Sequence, residues 1–163
     1  MRLACDEMLR GLARWLRAAG YDTLAAQAGM SDRALLALCE AEGRILISRD
    51  RKLLQIRRRP PIVILVADDI EAQARALSTA LGLDWRLAPF TRCLEDNALL
   101  RPATPGEIAR TPVSAQSLPG PWQACPVCGR IYWPGSHVRR MQARLDRFAQ
   151  AEPQLTETPG MRT

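Results

Sequence analysis

Asp6 and Asp50 each end a short apolar run, Arg2-Leu-Ala-Cys-Asp6 and Arg44-Ile-Leu-Ile-Ser-Arg-Asp50, and Asp32 follows Ser31 at the head of an amphipathic stretch. An apolar run with a polar stop predicts a buried strand, so two carboxylates arrive at strand ends and a third at a helix start. Taken alone, an acid at such a place is a turn residue or a helix cap, and Asp32 has the capping explanation to hand. Taken together, carboxylates on one edge repel each other in a low dielectric. A divalent cation relieves that repulsion, and oxygen ligands suit Mg2+ or Mn2+. The chemistry open to such a cluster is metal-assisted hydrolysis of a phosphodiester. Asp68 or Asp69, after Ile62-Val-Ile-Leu-Val-Ala67, is a further candidate member.

The thiols are the second group. The chain has five cysteines, and an odd number argues against a disulfide framework. Cys5 falls in a predicted strand and Cys39 in a predicted helix, as small core residues do. Cys125-Pro-Val-Cys128-Gly129 has the spacing of half a zinc site, two thiolates on a turn that glycine tightens. A redox C-x-x-C is the competing reading, and the proline-rich loop in front of it, where a βαβ start would be expected, disfavours it.

Basic residues form the third group. The formal net charge is +6 and the pI about 9.6. Lys52 is the only lysine, so arginine carries nearly all of the positive charge. Its planar fork suits phosphate, and a basic balance fits either nucleic acid or a plain solvated surface. Arg10, Arg14 and Arg17 recur at helical spacing, as a phosphate track toward Asp6 or as a solvated face. Tyr132, Trp133 and His137, beside Arg130, Arg139 and Arg140, can stack bases and hold phosphates, or can be the core of a small module.

Several elements must position these groups. Leu9, Leu12, Leu16 and Ala19 predict a helix over 7–19 that Gly20 stops. A second strand follows at 21–26. Ser31 caps a helix carrying Leu35, Leu38 and Cys39 as far as Gly43. The wholly apolar run 62–67 predicts a strand covered on both faces. Ile70, Ala74, Leu77 and Leu81 predict a helix ending at Gly82, and 83–87 a last strand. Residues 1–88 therefore predict an α/β sandwich, helices on both faces of a mainly parallel sheet, with the acids on its C-terminal edge. Beyond Pro89 come a proline-rich loop over 101–121, a basic helix over 137–149 and a disordered tail over 151–163. Hydrophobic residues make up 47% of the chain, which excludes wholesale disorder. No apolar run approaches the ~18 residues of a membrane span, and Asp6 and Glu7 interrupt any signal-peptide core. The expected location is cytoplasmic, with no membrane partner.

Asp6-Glu7, Leu12-Ala-Arg-Trp-Leu-Arg17, Gly20-Tyr-Asp-Thr23, Ser31-Asp32 and Gly43-Arg-Ile-Leu-Ile-Ser-Arg-Asp50 together resemble the Mut-seven C-terminal RNase domain family, over about residues 1–148. The resemblance implies a PIN-like three-layer nuclease domain over 1–88 and a zinc-ribbon-like module over 89–150. It implies a metal-dependent ribonuclease in which Asp6, Asp32 and Asp50 hold Mg2+ or Mn2+ and carry catalysis. Arg14, Arg17 or Arg49 would then bind phosphates, and the second module would grip single-stranded RNA through Arg130, Tyr132, Trp133, His137, Arg139 and Arg140. The family's first knuckle reads Arg-Cys-x-x-Cys-Asn, whereas this chain has Arg92-Cys93-Leu94-Glu95-Asp96-Asn97. Three outcomes stay open: Zn2+ held by Cys93, Asp96, Cys125 and Cys128; His137 in the fourth position; or a ribbon without metal, held by Trp122, Tyr132 and Trp133. Asp22 is either an acid of the site or a partner for an arginine. A non-catalytic RNA-binding module and a PIN-like toxin-type partner protein are the rival functions.

Overall fold

The computed structural model describes residues 1–150; the tail expected over 151–163 lies outside the described residues. Four short strands, β1 (Arg2–Cys5), β2 (Asp22–Ala25), β3 (Ile45–Ser48) and β4 (Ile62–Ile64), form a wholly parallel sheet in the order β2-β1-β3-β4. Between them run α1 (Arg10–Ala18), which a 3-10 turn at Glu7–Leu9 introduces, and α2 (Asp32–Glu42); α3 (Ile70–Leu81) follows β4. Ser31 caps α2 by accepting from the Ala34 N–H at 3.3 Å, and Gly43 ends it in the left-handed region.

Side chains alternate along the strands, so each strand feeds two cores. Leu3, Cys5 and Ile47 join Leu12 and Leu16 of α1 and Leu77 of α3 on one face. Ala4 and Leu46 join Leu35, Leu36 and Cys39 of α2 on the other.

Two expected strands differ. β4 is shorter than 62–67 and only half-buried, because it is the outer strand of the sheet. Residues 83–87 turn instead of extending. Trp85 there is fully buried and its indole N–H donates to Ser78 Oγ at 2.9 Å, while the Asp84 N–H donates to Tyr21 Oη at 2.8 Å.

The rest of the chain builds a three-stranded antiparallel sheet from β5 (Arg101–Pro102), β6 (Gln123–Ala124) and β7 (Ile131–Tyr132). The proline-rich stretch, expected as loop, holds two single-turn helices, α4 (Pro105–Ile108) and α5 (Val113–Gln116). The basic helix α6 (Ser136–Gln150) returns to the first core through Met141, Leu145 and Phe148. Phe148 meets Trp15 and Trp85 edge-on, at centroid distances of 5.4 and 5.0 Å.

Residues 88–97 run from the C-terminal end of α1, where the Ala88 and Phe90 N–H groups donate to the Ala19 and Ala18 carbonyls, to the outer edge of β2. The Thr23 N–H donates to Asn97 Oδ1 at 2.9 Å, and Asn97 Nδ2 donates to Asp22 Oδ1 at 2.8 Å. The chain comes so near that a Cβ on Gly20 would lie 2.5 Å from the Ala88 carbonyl oxygen, and Gly20 has φ +101°, so only glycine fits there. Arg17, expected on an exposed basic stripe, is instead buried. Its Nε and Nη1 donate to the carbonyls of Thr23, Leu94 and Glu95 at 2.8, 3.0 and 2.7 Å, so most of its donors are committed within the fold.

At the N-terminal end of the strands, buried Arg44 donates to Leu3 O, Asp22 Oδ1 and Glu42 Oε2 at 3.0, 2.7 and 2.7 Å. Burial works against the charged form of Asp22, yet the bonds from Arg44 and Asn97 prevail and hold its carboxyl down at about 2. Asp22 is thus an arginine partner, at the end of the sheet opposite Asp6. In an unfolded chain the group returns to about 3.8, so its contribution is complete above that value and lost as pH falls toward 2. Urea unfolding should show Asp22→Asn less stable than the parent at neutral pH, with the gap closing between about pH 4 and pH 2. Arg17→Met should cost about 2–4 kcal/mol in the same measurement, because three carbonyls lose a charged donor.

Candidate functional site

Parallel pairing of β1 with β3 sets their C-terminal ends side by side. The chain leaves β1 toward β2 and leaves β3 toward β4, on opposite sides. Connections that diverge in this way open a crevice at the carboxyl ends of the strands. Asp6 stands directly after β1 and Asp50 two residues after β3.

Ser48, the last residue of β3, joins them. Its buried hydroxyl donates to Asp6 Oδ2 and accepts from the Asp50 N–H at 3.0 Å. The Arg49 N–H donates to the same Asp6 oxygen at 3.2 Å. Asp6 Oδ1 is buried and receives no hydrogen bond among the described residues. Asp50 Oδ1 accepts from the Lys52 N–H at 2.8 Å, capping a 3-10 turn over Arg51–Gln55.

The other acids are placed differently. Asp32 is exposed in the first turn of α2, and no described contact joins it to Asp6 or Asp50. Glu7 reaches toward that region, with Oε2 accepting from the Gly29 N–H at 3.3 Å. Asp69 caps α3 through the Ala72 N–H at 2.8 Å. Asp68 is paired with Arg49, and Arg49 and Asp50 line a shallow recess with Met8, Arg51, Leu65 and Val66.

The thiols converge. Among the described residues, one group of Cys, His, Asp and Glu side chains could hold a metal ion: Cys93, Asp96, Cys125 and Cys128, with one ligand atom from each lying within 4.8 Å of the others. Cys93 Sγ lies 3.7 Å from Cys128 Sγ, and Cys125 Sγ 3.2 Å from Asp96 Oδ2. The two halves share one turn form. The Asn97 N–H donates to Cys93 O and the Gly129 N–H to Cys125 O, each at 3.1 Å, with φ +72° and +70°. The knuckle at 93–97 therefore keeps its shape with aspartate in place of a second cysteine. Burial opposes the charged form of Asp96, but the Ala98 N–H and the neighbouring thiols hold its carboxyl at about 2. Three sulfurs and one oxygen are a donor set that zinc accepts.

Asp96, and not His137, is the fourth member of the group that could hold a metal. His137 is exposed at the start of α6, as are Arg139 and Arg140 further along. Tyr132, expected to stack a base, faces inward to the cysteines. Its Oη lies 3.1 Å from Cys93 Sγ and accepts from the Leu94 N–H at 3.1 Å. Trp133 stacks on Trp122 at 5.7 Å, so part of the aromatic cluster is the module's own core. Arg130 and Arg14 stay near solvent and share one partner, Glu95, at 3.1 and 3.6 Å.

The family model of the Mut7-C RNAse domain matches residues 1–145. This chain belongs to that family. No curated protein and no solved structure matches it. The match runs through both the acidic crevice and the cysteine group of this Mut7-C RNAse domain. Among its described residues no helix is long and apolar enough to cross a membrane.

Ser48 is the residue of the crevice that sequence reasoning missed. Its signal was a hydroxyl closing an otherwise apolar strand, two residues before an acid. The Mut7-C RNAse domain should carry about one zinc per chain, by elemental analysis of purified protein. Cys125→Ser should release it. Asp96→Cys should hold it more tightly against a chelator, since thiolate is the softer ligand.

Proposed function

We propose that the chain is a metal-dependent ribonuclease whose site is the crevice between the ends of β1 and β3. The observation that carries this reading is Asp6 Oδ1, buried and without a donor. Leaving a buried acceptor unanswered costs about 1–3 kcal/mol, and more where it is charged, and a cation would answer it. Asp6 and Asp50 fit Mg2+ or Mn2+ by ligand type, and Asp32 would complete the set from the first turn of α2. When bound, such an ion supplies charge stabilisation at the phosphate and a nucleophile at neutral pH.

The chain's own residues do the rest. Ser48 and the Arg49 N–H fix the Asp6 carboxylate through Oδ2, which leaves Oδ1 without a donor. The bond from the Asp50 N–H to Ser48 Oγ keeps the second carboxylate in step with the first. Arg49, now paired with exposed Asp68, is a cation beside the recess that a phosphate can recruit. The preference for RNA rests on the family, and the 89–150 module would grip the strand.

Cleavage of single-stranded RNA with Mn2+ tests the reading. Asp6→Asn and Asp50→Asn should fall to background. Ser48→Ala should lose roughly 10–100-fold, as supporting partners of metal ligands do. Equal cleavage by all three variants would sink the proposal, and binding without any cleavage would favour a non-catalytic RNA-binding module.

A further inference from the structure

Glu95 is held in an unusual way for an exposed carboxylate. Its Oε1 stands between Arg130 Nη1 at 3.1 Å and Arg14 Nη1 at 3.6 Å. Its carbonyl is meanwhile fixed by Arg17 at 2.7 Å. The ion bridge separates two cavities. One, of about 600 Å3, includes Arg10, Arg14, Ala26 and Asn97 in its lining. The other, of about 310 Å3, is floored by Phe90, Ile131, Trp133, Val138 and Met141, with Arg14, Arg130 and His137 at its rim. Arg14 belongs to both.

The smaller cavity has the features of a site for a flat apolar group with an anion attached. Its floor is aromatic and aliphatic, and its volume is near the lower end of the ~300–1,000 Å3 of small-ligand sites. Its rim carries the first turn of α6, a helix of 15 residues with no acidic residue in that turn, so the helix dipole adds to the arginines' field. The two arginines that would hold an anion are already bridging one, the Glu95 carboxylate.

We infer that the cavity between β7 and α6 takes a nucleobase of single-stranded RNA, and that the phosphate of that nucleotide displaces Glu95 from Arg14 and Arg130. This rests on the RNA substrate proposed above and adds the place where a nucleotide beyond the cleaved bond is held. Glu95 then acts as a built-in competitor, which keeps the two arginines aligned when RNA is absent and yields to a phosphodiester of equal charge that arrives with a base bound beside it.

Fluorescence anisotropy with a short labelled oligoadenylate, without added Mg2+ or Mn2+, tests this. The comparison ligand is a base-less sugar-phosphate oligomer of the same length. Glu95→Gln should bind oligoadenylate roughly fivefold more tightly, because two exposed ion pairs no longer compete. Arg130→Gln should bind it about tenfold more weakly. Val138→Trp, which fills the cavity, should weaken oligoadenylate about tenfold, within the worth of one base stack, and leave the base-less oligomer unchanged. Unchanged or weaker binding by Glu95→Gln overturns the inference. Equal weakening of both oligomers by Val138→Trp overturns the base pocket. This binding needs no added metal and no cleavage, so a failed nuclease assay and a failed pocket give different results.

Discussion

A cation taken out of water must be answered by the protein, and Arg17 is answered by carbonyls from β2 and from the knuckle. Buried charge without acceptors is among the costliest arrangements a fold can hold. The residues around Arg17 are therefore not free to drift. Because Leu94 and Glu95 give it their carbonyls, the segment from Cys93 to Asn97 has one seat on the first sheet. That seat fixes where Cys93 and Asp96 meet Cys125 and Cys128, and where Glu95 finds Arg14 and Arg130. It also brings Asn97 to the open edge of β2, where a side-chain amide takes the place of a further strand.

The two ends of the parallel sheet differ in how their charge is treated. At the N-terminal end, Arg2, Asp22, Glu42 and Arg44 form a closed set of ion pairs. At the C-terminal end, Asp6 and Asp50 are tied to each other through Ser48, with one oxygen left unanswered. Saturated charge holds a fold together, while unsaturated charge at a strand end leaves chemistry to be done. The divergence of the chain on either side of β1 and β3 makes that second end a crevice.

The sheet and its helices were legible because their signals are local: the apolar runs of β1 and β3 with their polar stops, Ser31 and Gly43 at the ends of α2, Gly82 after α3. The acids at strand ends and the converging cysteines were legible for the same reason. Residues whose roles depend on distant partners were not. Arg17 shares its spacing with Arg14, and only carbonyls 77 and 78 positions away decide that one is buried and the other exposed. Tyr132 reads as a base platform, and neither the bond of its hydroxyl to Cys93 nor its place in the lining of the smaller cavity can be read from its neighbours in the chain. The run 62–67 shows how apolar it is, but its place on the outside of the sheet depends on which strands pair with it.

The return of α6 has a consequence for how such a chain can be divided. Phe148, Leu145 and Met141 complete the core that Leu3 and Leu12 begin, and Leu94 belongs to it as well. A fragment ending before Pro89 would lose these side chains and would bare the amide of Thr23 on an edge strand, a site of unwanted pairing. Recombination at that boundary would therefore deliver two broken parts. The catalytic-looking half and the cysteine-bearing half have to be inherited, expressed and engineered as one unit.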